Sequence, residues 1–295
     1  IHQAFEEVRN QAKKRGLRVT GSEIVGLIPL KAMIDAGYYY LDQQGESKGI
    51  PEKDVIDLTI KSLGLDDLSN FNATEKIIEY RVLDNKTPLA DSSIRFFLDE
   101  LSRNSPAPGG GSVSALAGSI ASSLTCMVAN LTIGKKGYEN VNKEMNILAQ
   151  DCQKLKNKLM QYIDDDTNSF NGVITAMRMP KSNEDEVKIR NNAIQEATKI
   201  ATYSPLSILE ACAMVMPLCL NAIKKGNQKS ISDAGVAAEM AHAGAQGASM
   251  NVLINLQDID DKNFSKQIKS QVQEILLTIN ENLLEIRKII IKKLT

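Results

Sequence analysis

Asp166 occupies the position in this chain most suited to acid–base chemistry. It completes an apolar stripe that runs Leu155, Leu159, Tyr162, then Phe170, Val173 and Met177, with spacings alternating between three and four. Its neighbours Asp164 and Asp165 project about 200° and 100° away around a helix. One of three adjacent carboxylates is therefore aimed inward. A buried carboxylate must find partners or have its pKa raised, which is the condition of a general acid/base poised near neutrality. An aspartate that caps or bridges a neighbouring helix gives the same pattern, so both readings stay open.

A second signal is Pro108-Gly109-Gly110-Gly111-Ser112, placed directly before a helical pattern. Three glycines free the backbone to curl, and their N–H groups join the open donors of a helix N-terminus. Such an end can hold a carboxylate, a carbonyl oxygen or a developing oxyanion. It matches neither GxxxxGK[ST] nor GxGxxG, so it is not a phosphate cradle. Ser112 also suits plain N-capping. Lys135 and Lys136 follow the same helix at its C-terminal end, where they complement the dipole and could also bind an acidic ligand tail. Asn227, Ser232 and Asp233 form a polar turn opening a later helix, with Ser232 or Asp233 as cap candidates. Asn251 and Asn255 lie one turn apart among apolar neighbours, where amides satisfy backbone groups or grip a flat heterocycle.

The elements that must position these residues fall into two parts. Over residues 1–84 the pattern predicts helices at 4–14, 30–41 and 54–65, a β segment over Leu17–Val25 and a short strand over Ile77–Val82. Two lone β segments cannot cover a sheet, so this part is expected to be an incomplete α/β segment, the end of a larger domain. A polar connector at Asp84–Pro88, overlapping a linker over 85–90, precedes an all-α domain over 91–295. There helices are expected at 93–102, 111–133, 142–177, 184–202, 205–224, 232–256 and 262–293, punctuated by Pro180, Pro205 and Gly226. Helices 111–130 and 234–249 are dominated by Ala, Gly and Ser, which allows close packing of backbones. The fold class is therefore mainly α, a helical bundle.

Composition narrows the function. Apolar residues make up 43% of 295 residues, enough for a proper core, with no Trp and only 4% aromatics. The formal net charge of −1 provides no field for nucleic acid or an anionic membrane. Residues 104–134 carry no charge but are too rich in Gly, Ser, Thr and Asn for a stable membrane span. Four cysteines without CxxC pairing and two histidines give no zinc pattern, and free thiols suit a reducing cytoplasm. With His2 at the frayed start, His242 is the one realistic imidazole. Acid–base chemistry must then run on carboxylates, lysines, tyrosines or amides.

Four ordered blocks resemble the formiminotransferase-cyclodeaminase family: Ala107–Val113, Asp164-x-Asp166-Thr167-x-Ser169-Phe170, Ser232-Asp233 followed by Val236-Ala237-Ala238, and Asn251–Asn255. Upstream, Gly21–Pro29 and Leu63-Gly64-Leu65 leading to Ile77–Tyr80 resemble the C-terminal subdomain of the formiminotransferase half. The family's N-terminal subdomain, with its catalytic histidine, has no counterpart here, so transferase activity is not expected. The resemblance implies conversion of 5-formimidoyltetrahydrofolate to 5,10-methenyltetrahydrofolate and ammonia in histidine breakdown, without metal or cofactor. It places Asp166 at the catalytic aspartate position. It also implies that Gly109, Gly110, Gly111, Ser112, Asp233 and Asn251 line the folate site, and that Lys135 and Lys136 hold the tail of a polyglutamylated substrate. A homo-oligomer built from dimers is expected on the same ground. Rival expectations are a methenyltetrahydrofolate cyclohydrolase and a non-catalytic, folate-binding or dimerising helical domain.

Overall fold

Residues 1–82 and 89–294 are described by a computed structural model. They belong to two compact units, Ile1–Lys86 and Thr87–Thr295. The expected connector at 84–88 lies outside the described residues.

In the first unit the helices are α1 (His2–Lys14), α2 (Leu30–Gln44), α3 (Glu52–Leu63), α4 (Ala73–Lys76) and α5 (Ile78–Val82). Met33, Ala36, Ile56, Ile60 and Ile77 form its buried core. The expected strands do not form. Residues 17–25 are irregular, with Ser22 pinned to the end of α3: its N–H donates to Gly64 O at 3.1 Å and its Oγ to Leu63 O at 2.7 Å. Ile77 makes one isolated parallel bridge to Ile28, after which the chain turns into α5. With no second neighbour to extend a ladder, β-branched residues here pack as single side chains rather than as a sheet. Among the described residues the first unit is helical rather than α/β.

The second unit is a helical bundle. Its helices are α6 (Ile94–Leu101), α7 (Gly110–Asn130), α8 (Asn142–Met177), α9 (Glu184–Lys225), α10 (Ile231–Asn255) and α11 (Lys262–Leu294). α7 packs on α8, α9 and α10, and α9 also packs on α11. The alternating apolar spacing seen in the sequence buries one face of each helix. On α8 the buried line is Leu159, Ile163, Val173 and Ala176, while Met177, expected in the stripe, is exposed at the helix end.

The expected break at Pro205 is absent, and α9 runs through both Pro205 and Pro217. A proline removes the N–H that would bond the carbonyl four residues earlier, here that of Ala201. Asn255 Nδ2 donates to Ala201 O at 2.9 Å and replaces the missing donor. A side chain of α10 thus stabilises the continuity of α9.

α7 and α10 approach through small residues. Cys212 Sγ from α9 fills the space above them, 2.7 Å from where a β-carbon on Gly118 would stand and 3.1 Å from one on Gly244. By length and apolar composition α7 and α9 could each cross a bilayer, but 61% and 56% of their apolar windows are buried among other helices, as in core helices.

Candidate active site

The α7/α8 contact brings Asp166 to the triple-glycine turn. Gly109, in extended conformation, begins α7 without a side-chain cap. The Asp166 carboxylate takes that role from α8: it accepts the backbone N–H of Ser112, with Ser112 Oγ 3.4 Å from Oδ2. Ser112 is therefore not the N-cap. It is fully buried in the first turn of α7, and its Oγ donates to Ile163 O at 3.0 Å and lies 3.4 Å from Thr167 Oγ1. A methyl group on Gly111 would land on the Asp166 carboxylate, which makes the glycine a requirement of this approach. A methyl on Gly110 would stand 3.0 Å from Asn251 Nδ2 of α10. Three helices thus converge on one glycine turn.

Both readings of Asp166 hold at once: it is half-buried and it covers a helix N-terminus. Burial pushes its carboxyl above the ordinary carboxylate range, and the Ser112 N–H and hydroxyl pull less strongly the other way. The flanking acids, which project away from the stripe, are also half-buried. Asp164 accepts from Leu89 N at 2.7 Å and Ala90 N at 3.4 Å, anchoring the 3₁₀ turn Leu89–Asp91. Asp165 is half-buried and also raised, first by burial and then by the charge of Asp164.

Asn251 donates to Gly247 O at 2.8 Å within its own helix, and its Oδ1 accepts nothing among the described residues. Asn255 is committed to Ala201. The remaining expected site residues lie elsewhere. Lys135 and Lys136 follow the far end of α7, about 30 Å from Ser112 at about 1.5 Å per residue. Lys135 Nζ donates to Asn227 Oδ1 at 2.9 Å, and Lys136 is exposed. Asp233 sits in the first turn of α10, roughly 27 Å along that helix from Asn251. Neither it nor Ser232 caps that turn, which has no side-chain cap; Asn227 caps the preceding 3₁₀ turn Gln228–Ser230 by accepting the N–H of Lys229. Among the described residues, no group of three or more His, Cys, Asp or Glu side chains is placed to hold a metal ion. Thr167 also meets Ser112 here; sequence reasoning gave it no role, although it stands within the Asp164–Phe170 block that carries the family resemblance.

The formiminotransferase-cyclodeaminase model matches residues 93–274, and a formiminotransferase domain model matches residues 1–83. The chain belongs to the formiminotransferase-cyclodeaminase family. It is 34% identical to formimidoyltransferase-cyclodeaminase of Rattus norvegicus over 278 residues, which is 94% of this chain and 51% of that protein. The chain thus spans about half the length of the curated relatives of this kind. It is also 36% identical over 198 residues to methenyltetrahydrofolate cyclohydrolase of Methylorubrum extorquens, covering 66% of this chain and 95% of that one. Among solved structures, formiminotetrahydrofolate cyclodeaminase from Thermotoga maritima superposes with a TM-score of 0.61 at 31% identity, over 67% of this chain and 95% of that one. In this family member the blocks around Gly109–Ser112, Asp166 and Asn251 form one cluster, whereas Ser232-Asp233 lies at the other end of the bundle.

Proposed function

We propose that this chain is a formimidoyltetrahydrofolate cyclodeaminase, an ammonia-lyase acting in histidine breakdown that closes 5-formimidoyltetrahydrofolate to 5,10-methenyltetrahydrofolate. The observation that carries the reading is the half-buried Asp166 carboxyl, raised by burial and held against Gly111 and Ser112. N10 of the folate adds to the carbon of the formimidoyl group, which is protonated on its nitrogen, and sheds its own proton to ionised Asp166. The same carboxyl then returns that proton to the amino group, and ammonia leaves as the methenyl cation forms. Proton and charge balance, and the route asks for no metal or redox cofactor. A carboxyl with a pKa above its ordinary range suits both half-steps. In this reading Gly109 and Gly110, with the Asn251 amide that stands against Gly110, are assigned to contact the folate.

Lys135 and Lys136 can serve the same bound molecule only through a tail of several glutamates, since about 30 Å separates them from Ser112. A homo-oligomer of dimers is part of the reading. It is supported by apolar side chains left in the open on α10 (Val236, Met250, Ile254) and on α11 (Leu277, Leu284, Ile291). So is a cytoplasmic location, supported by four free thiols.

A second reading, methenyltetrahydrofolate cyclohydrolase, is favoured by the Methylorubrum relative, whose match covers 95% of its length. There the same carboxyl would activate water against the methenyl carbon. The experiment is an absorbance assay for methenyltetrahydrofolate formation by this chain alone, with ammonia measured in parallel. Formation with equimolar ammonia is expected. Hydrolysis of added methenyltetrahydrofolate without ammonia release from the formimidoyl compound selects the second reading. Folate binding with neither reaction leaves a non-catalytic domain.

A further inference from the structure

Beside Asp166, the contact face of α7 and α8 has features that proton transfer leaves unused. The two helices run antiparallel in a register set by Ser112 Oγ to Ile163 O at 3.0 Å, Ser119 Oγ to Lys156 O at 3.5 Å and Ser122 Oγ to Cys152 O at 2.8 Å. One turn along from Ser112 and Asp166 is a cavity of about 150 Å³ whose lining includes Phe97 of α6, Leu116, Met160 and Ile163. Apolar cavities of about that volume admit a benzene ring. Leu116 and Met160 also line an open furrow of about 540 Å³ that continues along α7 and α8. Its one charged lining residue is Lys156. That lysine is half-buried, donates to Gln153 Oε1 at 2.7 Å, and forms no ion pair among the described residues.

We propose that this furrow seats the benzoyl-glutamate arm of the folate, with the aromatic ring in the Phe97–Leu116–Met160–Ile163 cavity and a glutamate carboxylate at Lys156. The inference rests on the cyclodeaminase reading and adds to it the determinants of substrate recognition. In a folate, N10 is bonded directly to the aromatic ring. A site that takes the proton of N10 must therefore hold that ring close by. Ile163 precedes Asp166 by three residues and Leu116 follows Ser112 by four, which places the cavity about 5 Å along each helix from the carboxyl. The ring carries the glutamate through a para amide, an extended arm ending in carboxylates. Lys156 stands ten residues before Asp166, about 15 Å along α8. The arm and the lysine's four-carbon stem cover that span together. An apolar slot ending in a lysine that has no ion-pair partner among the described residues matches an aromatic ring ending in an anion.

Two measurements on the full chain test this. In turnover, Lys156→Ala is expected to raise KM for the monoglutamyl substrate about tenfold to a hundredfold with kcat little changed, the loss expected for a charge-assisted hydrogen bond. Lys156→Arg is expected to restore most of it. In binding, 4-aminobenzoyl-glutamate is expected to dock to the unmodified chain and to Asp166→Asn alike. It should weaken in Lys156→Ala and in Leu116→Trp, which fills the cavity. The glutamate-free fragment 4-aminobenzamide should keep its dependence on Leu116 and lose that on Lys156. Unchanged KM in Lys156→Ala with fragment binding indifferent to both substitutions overturns the inference while leaving any turnover, and the cyclodeaminase reading, in place. Conversely, lysine-dependent fragment binding without turnover supports the subsite and removes the activity.

Discussion

Two surroundings act on the one carboxyl of Asp166, and they pull on its proton in opposite directions. Covering the first turn of α7 favours the ionised form, while burial favours the neutral one and prevails. The linkage follows from the sign. With the folded pKa above the unfolded value, the folded state binds more protons between the two, so the stability from this group is present at low pH and is lost as pH rises through the folded pKa. Asp166→Asn is therefore expected to melt higher than the unmodified chain at neutral pH, with the gap closing in acid. It should also lose about 10²–10⁴-fold in kcat. An equal loss of stability and activity would instead mark the residue as purely structural. Turnover by the unmodified chain should fall in acid as the carboxyl is protonated. Gly111→Ala offers an independent check, because the added methyl displaces the carboxyl without changing its charge. A misplacement of about 1 Å costs about 10²-fold, so kcat in that variant should drop by about that factor, and an unaltered kcat would contradict the site. The inward aim of Asp166 was legible in the spacing from Leu155 to Phe170. The glycine's purpose was not, because it depends on which atom of another helix stands above it.

Among the helices, α9 shows how a local rule yields to a distant partner. Pro205 reads as a break because its own N–H is missing, and nothing nearby in the sequence offers a replacement. The replacement is Asn255, 54 positions from the Ala201 carbonyl that it satisfies. Asn255→Ala should leave that carbonyl unpaired and cost about 1–3 kcal/mol in urea denaturation. In a Pro205→Ala background, where the helix regains its own donor, the same substitution should cost clearly less. Equal costs in both backgrounds would show that the amide is not a substitute for the lost bond. The first unit errs the other way. Its Ile- and Val-bearing segments have strand-like composition, yet Ser22 is held by the end of α3 and Ile77 finds a single bridge. Composition states a preference for extended structure; only a neighbouring strand can fulfil it. The long helices at 142–177 and 262–294 were readable because a period sustained over many turns outweighs local ambiguity.

At the scale of the whole molecule, the second unit is organised around helices that nearly touch, and space is its scarcest commodity. That tightness separates the expected site residues into two groups. Gly110, Gly111, Ser112, Asp166 and Asn251 meet at one end, while Lys135, Lys136 and Asp233 lie at the other. Order along the chain could not reveal this, since antiparallel helices interleave the two ends in sequence. The same tightness governs Cys212, whose sulfur occupies the gap above Gly118 and Gly244 and whose thiol is pushed up to about 12 by burial. No alkylating reagent can reach it while α7, α9 and α10 stay together. Modification of Cys212 and Cys219, both fully buried, should proceed no faster than the bundle opens and should track global unfolding across denaturant concentrations. Rapid labelling in native buffer would mean that the three helices part far more often than their packing allows. The chain thus carries a built-in clock, in which the rate of a simple thiol reaction counts the moments when its centre comes undone.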